Sequence, residues 1–408
     1  MRIIIDRMDH QGRGIGKING KTIFVYNALP LEDVEVEIIK ENKKFLIGKV
    51  IKYYSLSKDR VNPICPFYLN CGGCDIMHIS YFNQLVYKEN KIRQIIDKFT
   101  SLSPDIVKPI VGNNNRNYRN KVTFHVDNKI GFYEKESYNI VPIDNCFISL
   151  PKINEILCKV KNINLDNVIE VIIRVSNYNN NSMVIFKLSK DRDFSSFLKL
   201  KNDVDNIIIY QNKEYKTIYG DGFIVDKIGD YLYKISPDSF FQVNTSLATL
   251  LYSKVLEYLN PSKCDNVLDL YCGAGTIGIF VSRFAKSVKG IEINKYAVED
   301  ANYNKKINNV DNISFECLST SFVSKFKDKF DSVIVDPPRS GLDKKTIDYL
   351  INLKAKKIVY VSCDPITLAR DLEILKNYYE VKEITPFDMF SNTYHVECVS
   401  ILQKNIRR

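Results

Sequence analysis

The chain has 408 residues, 45% of them hydrophobic and 26% charged, with a formal net charge of +10. That length holds two or three domains with cores of their own, and the proportions are those of a soluble globular protein rather than a disordered or fibrous one. The positive charge favours a polyanionic partner, although a chain this rich in Lys, Asn and Ile carries some of it through composition alone.

No apolar run approaches the roughly 18–20 residues that span a bilayer. The start, Met1 to Arg7, lacks the apolar core and cleavage site of a secretory signal. A cytoplasmic address with no membrane partner is therefore expected, and the ten cysteines are expected to be thiols or metal ligands. Residues 1–57 alternate apolar and polar positions (Ile3 and Ile5, Ile23 to Val25, Val34 to Ile38, Phe45 to Ile51) between glycine-rich turns. This predicts an OB-like β-barrel of four or five strands whose Lys17, Lys21, Lys40, Lys43, Lys44 and Lys49 offer a basic face to RNA.

Next comes Cys65, Cys71, Gly72, Gly73 and Cys74, a C-x5-C-x2-C run in which paired glycines let three thiolates converge. Cys146 is the best placed fourth ligand. The set suits either a [4Fe-4S] cluster or zinc held by four thiolates, and spacing leaves both open. Leu85, Ile92, Ile96 and Phe99 recur at helical spacing over 80–99, with Lys88, Glu89, Lys91 and Arg93 on the other, wet faces. Tyr118, flanked by Arg119 and Lys121, has the make-up of an RNA-gripping loop, although taken alone these residues favour a plain solvated loop. Residues 122–235 read as strands joined by Asn-rich turns, a β-rich middle domain within 58–230.

From residue 262 the texture turns to strand–helix alternation. Val267 to Leu270 runs into the turn Tyr271, Gly273, Gly275 and a helix, a place for a ligand against a helix N-terminus. Glu292 ends the next strand, 19 residues after Gly273, within reach of ribose hydroxyls. The turn lacks the full G-x-G-x-x-G spacing of pyrophosphate binders and the lysine of a P-loop, so S-adenosylmethionine fits better than NAD. A further strand ends in Asp336, Pro337, Pro338 and Arg339, a rigid wall for the cofactor's reactive end; Arg339 in place of an aromatic residue suggests a phosphate or base contact.

Residues 358–365 form a buried apolar strand stopped by Pro365, which puts Cys363 at the C-terminal lip where open α/β sheets hold ligands. A thiolate there has a purpose on a pyrimidine: adding to C6 makes C5 nucleophilic towards a methyl donor, after which a base must remove the C5 proton. Glu397 is the better candidate for that base, on a C-terminal strand, with His395 the rival two residues away on the same strand face.

These motifs in this order resemble those of the RNA (uracil-5-)-methyltransferases, in particular the iron–sulfur-containing 23S rRNA branch. The resemblance runs the length of the chain, from a TRAM domain through the cysteine set, Phe240 to Asn244, Asp269 to Gly275, Asp336 to Gly341, Ser362 to Pro365 and Val396 to Cys398. It implies an α/β, Rossmann-like catalytic domain over 231–408 that binds S-adenosylmethionine through Gln242, Tyr271, Glu292 and Asp336. It also implies Cys363 as nucleophile, Glu397 rather than His395 as proton acceptor, and a [4Fe-4S] cluster on Cys65, Cys71, Cys74 and Cys146. Because tRNA-modifying relatives generally lack that cysteine set, the resemblance points to 23S rRNA and a monomeric enzyme. A tRNA uridine methyltransferase and a non-catalytic RNA-binding or ribosome assembly factor are the alternatives.

Overall fold

In the computed structural model, which describes residues 1–320 and 329–405, the N-terminal alternation resolves into six strands between Arg2 and Ser55. The sequence suggests four or five. The extra one arises because the leading isoleucine run breaks after Ile4, leaving Arg2–Ile4 and Arg7–Met8 on opposite edges of one sheet. Alternate residues Ile23, Val25, Val34 and Val36 point inward with Ile5 and Leu46, which is the period-two burial a half-wet sheet requires.

The middle of the chain builds a seven-stranded sheet from Lys121–Asp127 to Glu214–Tyr219. A helix absent from the sequence reading, Pro151–Val160, packs on it. Its signal was available: proline at the first position, then Ile153, Ile156, Leu157 and Val160 at helical spacing, all buried.

The C-terminal sheet has the order Ile313–Cys317, Ser287–Glu292, Asn266–Leu270, Ser332–Val335, Lys357–Ser362, Glu397–Lys404, Tyr379–Phe387. The first five strands are parallel, and Glu397–Lys404 runs antiparallel between its neighbours. Chain order reverses between Asn266–Leu270 and Ser332–Val335, so a crevice opens there at the carboxyl ends of the strands. Apolar clusters cover both faces, as parallel strands demand.

Two segments earlier in the chain join this core. Helix α1 (Tyr81–Phe99) lays Ile92, Ile95 and Ile96 against the cluster that holds Leu368, Leu372 and Leu375. The hairpin Ile224–Ile228/Tyr231–Ile235 packs with Tyr252 and Phe280, so a boundary at 230/231 falls in the turn between two paired strands. Among the described residues no helix is long and apolar enough to cross a membrane.

Candidate active site

At the crevice, pairing of Leu270 with both Ile291 and Val335 brings the residues that follow them, Tyr271, Glu292 and Asp336, to one edge. Tyr271 sits at φ +62°, a conformation costly for a side chain with a Cβ, and its hydroxyl meets Thr346 Oγ1 at 3.4 Å. Gly273, at φ +52°, has open space where a Cβ would point, so a ligand can approach its backbone. Glu292 accepts from the Gly273 N–H at 3.1 Å and from the Asn294 N–H at 2.8 Å, fixing its carboxylate at the mouth of the turn. Gln242 is buried just before helix Thr245–Leu259, its carbonyl accepting from Asn120 Nδ2 at 3.1 Å.

Asp269, a part of the glycine motif that the sequence reading gave no role, is 1% exposed, and neither of its carboxylate oxygens has a hydrogen-bond partner. Burial, with Asp336 and Glu292 nearby, pushes its carboxyl up to about 8. A buried acid here, with Asp336 and Glu292 nearby and an open glycine turn beside it, makes a crevice that suits a cationic ligand. The S-adenosylmethionine site thus fits its residues.

Cys363 and Glu397 come from neighbouring strands. Ser362 pairs with Cys398, so the next residue on one strand and the preceding one on the other meet at the lip. Desolvation raises both groups. The Cys363 thiol is pushed up to about 12 by burial, then by Glu397 and Asp336, with the Arg339 guanidinium pulling the other way. The Glu397 carboxyl is pushed up to about 8 by burial and Asp336, again opposed by Arg339. Asp336 itself rises to about 7 through desolvation. Arg339 is thus the cation that opposes burial at both Cys363 and Glu397.

His395 lies outside the strand, which begins at Glu397, so the shared strand face expected from sequence does not exist. Its ring packs on Tyr394 with centroids 4.3 Å apart. Burial, with Arg339, Lys91, Lys88 and Arg119 nearby, pushes it down to about 4. At neutral pH it is uncharged and a weaker base than a carboxylate whose proton leaves near 8.

The raised Glu397 carboxyl has a consequence for stability. An acid whose folded pKa exceeds its unfolded value disfavours the folded state progressively as pH rises from 4.5 towards about 8. Glu397→Gln removes that burden, so its melting temperature relative to the parent should rise between about pH 5 and about pH 8. A constant difference across a thermal-unfolding pH series would contradict the assignment.

The four cysteines line one cavity of about 510 Å³, which extends to Arg119, Phe240 and Gln242. Gly72 must lack a side chain because a Cβ would come within 2.8 Å of the Tyr133 carbonyl, which accepts its N–H at 2.9 Å. Cys146 is held by a two-way pairing of its backbone with the Asn154 side chain, at 2.8 and 3.2 Å. Burial raises the Cys65 thiol and carries Cys71 up to about 11. The convergence expected from sequence is incomplete: among the described residues no three His, Cys, Asp or Glu close on a point that could hold a metal ion. The four cysteines do line one chamber.

A second cavity, of about 560 Å³, opens where all three parts of the chain meet, lined by Tyr26, Arg119, His125, Tyr133, Arg339 and His395 among others. His125 and Tyr133 stack at 3.8 Å and 15°. Such a mix of cations and aromatic faces suits a nucleic-acid strand. Tyr118 plays no part in it: the tyrosine is 4% exposed and donates to the Ser391 carbonyl at 2.9 Å. The expected RNA-gripping role fails for Tyr118, while Arg119 faces both cavities. On the N-terminal sheet, Lys21, Lys40 and Lys49 are engaged by Glu41, Glu136 and Glu37, which trims the basic face.

Comparison with known proteins agrees with this geometry. A family model described as tRNA (Uracil-5-)-methyltransferase matches residues 80–405, and a TRAM domain model matches residues 1–51. Proteins named uncharacterized RNA methyltransferases from Oceanobacillus iheyensis and Caldanaerobacter subterraneus are each 37% identical over 98% of this chain, covering 95% and 97% of their own lengths. The crystal structure of Pyrococcus abyssi tRNA (uracil-54, C5)-methyltransferase in complex with S-adenosyl-L-homocysteine is 31% identical, with a TM-score of 0.83 over 98% of this chain and 99% of that one. With a glycine turn open to a ligand, a thiol beside a buried carboxyl and this full-length likeness, the chain belongs to the tRNA (uracil-5-)-methyltransferase family of S-adenosylmethionine-dependent RNA methyltransferases and carries an N-terminal TRAM domain.

Proposed function

We propose that the protein methylates C5 of a uridine in 23S rRNA, with Cys363 as nucleophile and Glu397 as the base. The observation that carries this reading is the meeting of Cys363 and Glu397 at the lip of the sheet, within electrostatic reach of Asp336 and Arg339. Cys363, as thiolate, adds to C6, and the electron pair of the C5–C6 bond becomes available at C5. S-adenosylmethionine would supply the electrophilic methyl group there, its sulfur–methyl bond breaking to leave S-adenosylhomocysteine. Glu397 then takes the C5 proton, the C5–C6 double bond re-forms, and the Cys363–C6 bond breaks to release free enzyme.

Each acid has a place in this scheme. Gln242, Tyr271, Glu292 and Asp336 would hold the cofactor, whose positive charge offsets the carboxyls gathered at the crevice. Arg339 is close enough to lower both Cys363 and Glu397, and so favours their reactive ionised forms. Cys65, Cys71, Cys74 and Cys146 would hold a [4Fe-4S] cluster, a reading supported by four thiols lining one chamber. The cluster would tie the 65–74 loop to the segment around Cys146 within the middle part.

A tRNA target is the second reading, favoured by the name of the Pyrococcus abyssi structure. Sequencing of RNA from a deletion strain separates the two: loss of 5-methyluridine from 23S rRNA supports the first, and loss from tRNA alone overturns it. For the chemistry, RNA carrying 5-fluorouridine should trap the protein with S-adenosylmethionine in an adduct stable to denaturation, since fluorine does not leave as a proton. On unmodified RNA the Glu397→Gln enzyme should accumulate the methylated adduct. Anaerobic purification should give about four irons per chain; stoichiometric zinc would refute the cluster.

A further inference from the structure

Three side chains of α1, Gln84, Lys88 and Lys91, lie one above another at spacings of four and three residues. Polar residues in such a row normally face water, yet these are 1%, 0% and 8% exposed. All three reach the same target, the connection 388–396 that runs from strand Tyr379–Phe387 into Glu397. Lys88 pairs with Asp388 and donates to the Phe390 carbonyl at 3.0 Å. Lys91 donates to the Tyr394 carbonyl at 2.8 Å. Gln84 makes a closed pair with Asn392: its Nε2 donates to Asn392 Oδ1 at 3.1 Å, and its Oε1 accepts from the Asn392 N–H at 3.0 Å.

Asn392 is the hub of this clamp. It stands at φ +66° and is 2% exposed, and each of its polar atoms is bonded. Its carbonyl accepts from the Asp75 and Ile76 N–H groups at 2.8 and 3.0 Å, immediately after Cys74. Its Nδ2 donates to the Asn115 carbonyl at 2.7 Å. One residue thus ties α1, the cysteine loop and the 113–118 segment to a connection that ends five residues later at Glu397.

We infer that Asn392, locked by Gln84, is a positioning residue that sets the Glu397 carboxylate for removal of the C5 proton. The connection forms no helix or strand, and its internal hydrogen bonds are local ones, from Ser391 to Asp388, Thr393 to Phe390 and His395 to Thr393. A buried left-handed Asn saturated by three separate segments fixes it from outside. Backbone strain and full burial of this kind concentrate where geometry must be held tightly.

This inference rests on Glu397 being the base, and the test separates the two. Asn392→Gly keeps access to positive φ and the backbone carbonyl while deleting the carboxamide; Gln84→Glu keeps the acceptor and loses the donor. Both are compared with the parent and with Glu397→Gln, on uridine RNA and on RNA deuterated at C5. The readouts are the rates of adduct formation and decay and equilibrium binding of S-adenosylmethionine. Asn392→Gly should bind the cofactor and form the adduct as the parent does. Its adduct should decay about 10- to 100-fold more slowly, the scale of a misplaced catalytic group, with a larger isotope effect on decay. Gln84→Glu should shift decay the same way by less, and it serves alone if the glycine variant does not fold. If Glu397→Gln slows decay but neither clamp variant does, or if all steps fall together, the inference is overturned. If Glu397→Gln decays at the parental rate, the base assignment fails and takes the inference with it.

Discussion

Replacing Cys363 by Ala should abolish both the trapped adduct on 5-fluorouridine RNA and methyl transfer to uridine RNA, while leaving a folded protein. The expected loss is on the order of 10⁴-fold or more, the scale of removing a nucleophile that converts one difficult step into two. No neighbouring side chain can stand in. Cys398 is fully buried, pairs through its backbone with Ser362, and its thiol is driven up by burial and by Glu397. Cys272 is buried behind the glycine turn, its thiol also pushed well up. Stability should change by only about 1 kcal/mol, because Cys363 is half-buried at a lip and its sulfur is a small apolar group there. Labelled methyl incorporation, denaturing gels of trapped RNA and circular dichroism together check the result. Turnover at the parental rate would require a mechanism without sulfur addition, and nothing else at the lip would then explain a thiol held beside a buried acid.

The sequence was most informative where a local pattern decides the geometry. The apolar run ending at Ser362 had to be a buried strand, and a residue after such a strand has to lie at the ligand-bearing edge, so Cys363 was placed without coordinates. The same holds for Tyr271, Glu292 and Asp336, each a strand's terminal or next residue. What stayed hidden depended on contacts distant in the chain. Lys88 and Lys91 read as solvent-facing because helical periodicity records which residues are apolar, not which polar ones have partners 300 positions away. Tyr118 read as a surface aromatic for the same reason, since its partner is Ser391. His395 seemed to share a face with Glu397 because alternation cannot tell where a strand starts. Asp269 was visible in the glycine motif, but its complete burial beside Asp336 needed the folded crevice.

Lys88→Met should be the most destabilising single change outside the core's apolar residues. Lys88 and Asp388 are both fully buried, and burial lowers the lysine's affinity for its proton against the opposing pull of Asp388. Removing the ammonium leaves Asp388 with Ser391 Oγ as a donor at 2.7 Å, while the Phe390 carbonyl that Lys88 also served keeps its bonds from the Thr393 N–H and hydroxyl. Breaking a buried pair from one side typically costs about 3–5 kcal/mol, because a charge remains in a place water cannot reach. Thermal unfolding should therefore show a lowered midpoint for the single variant. The double variant Lys88→Met, Asp388→Leu should recover most of that loss, since an apolar pair of similar volume carries no desolvation cost. Recovery of stability without recovery of adduct decay would show that the ion pair is kept for where it holds the 388–396 connection rather than for the energy it contributes. An equal cost in the single and double variants would mean that packing around α1, not the uncompensated carboxylate, sets the penalty.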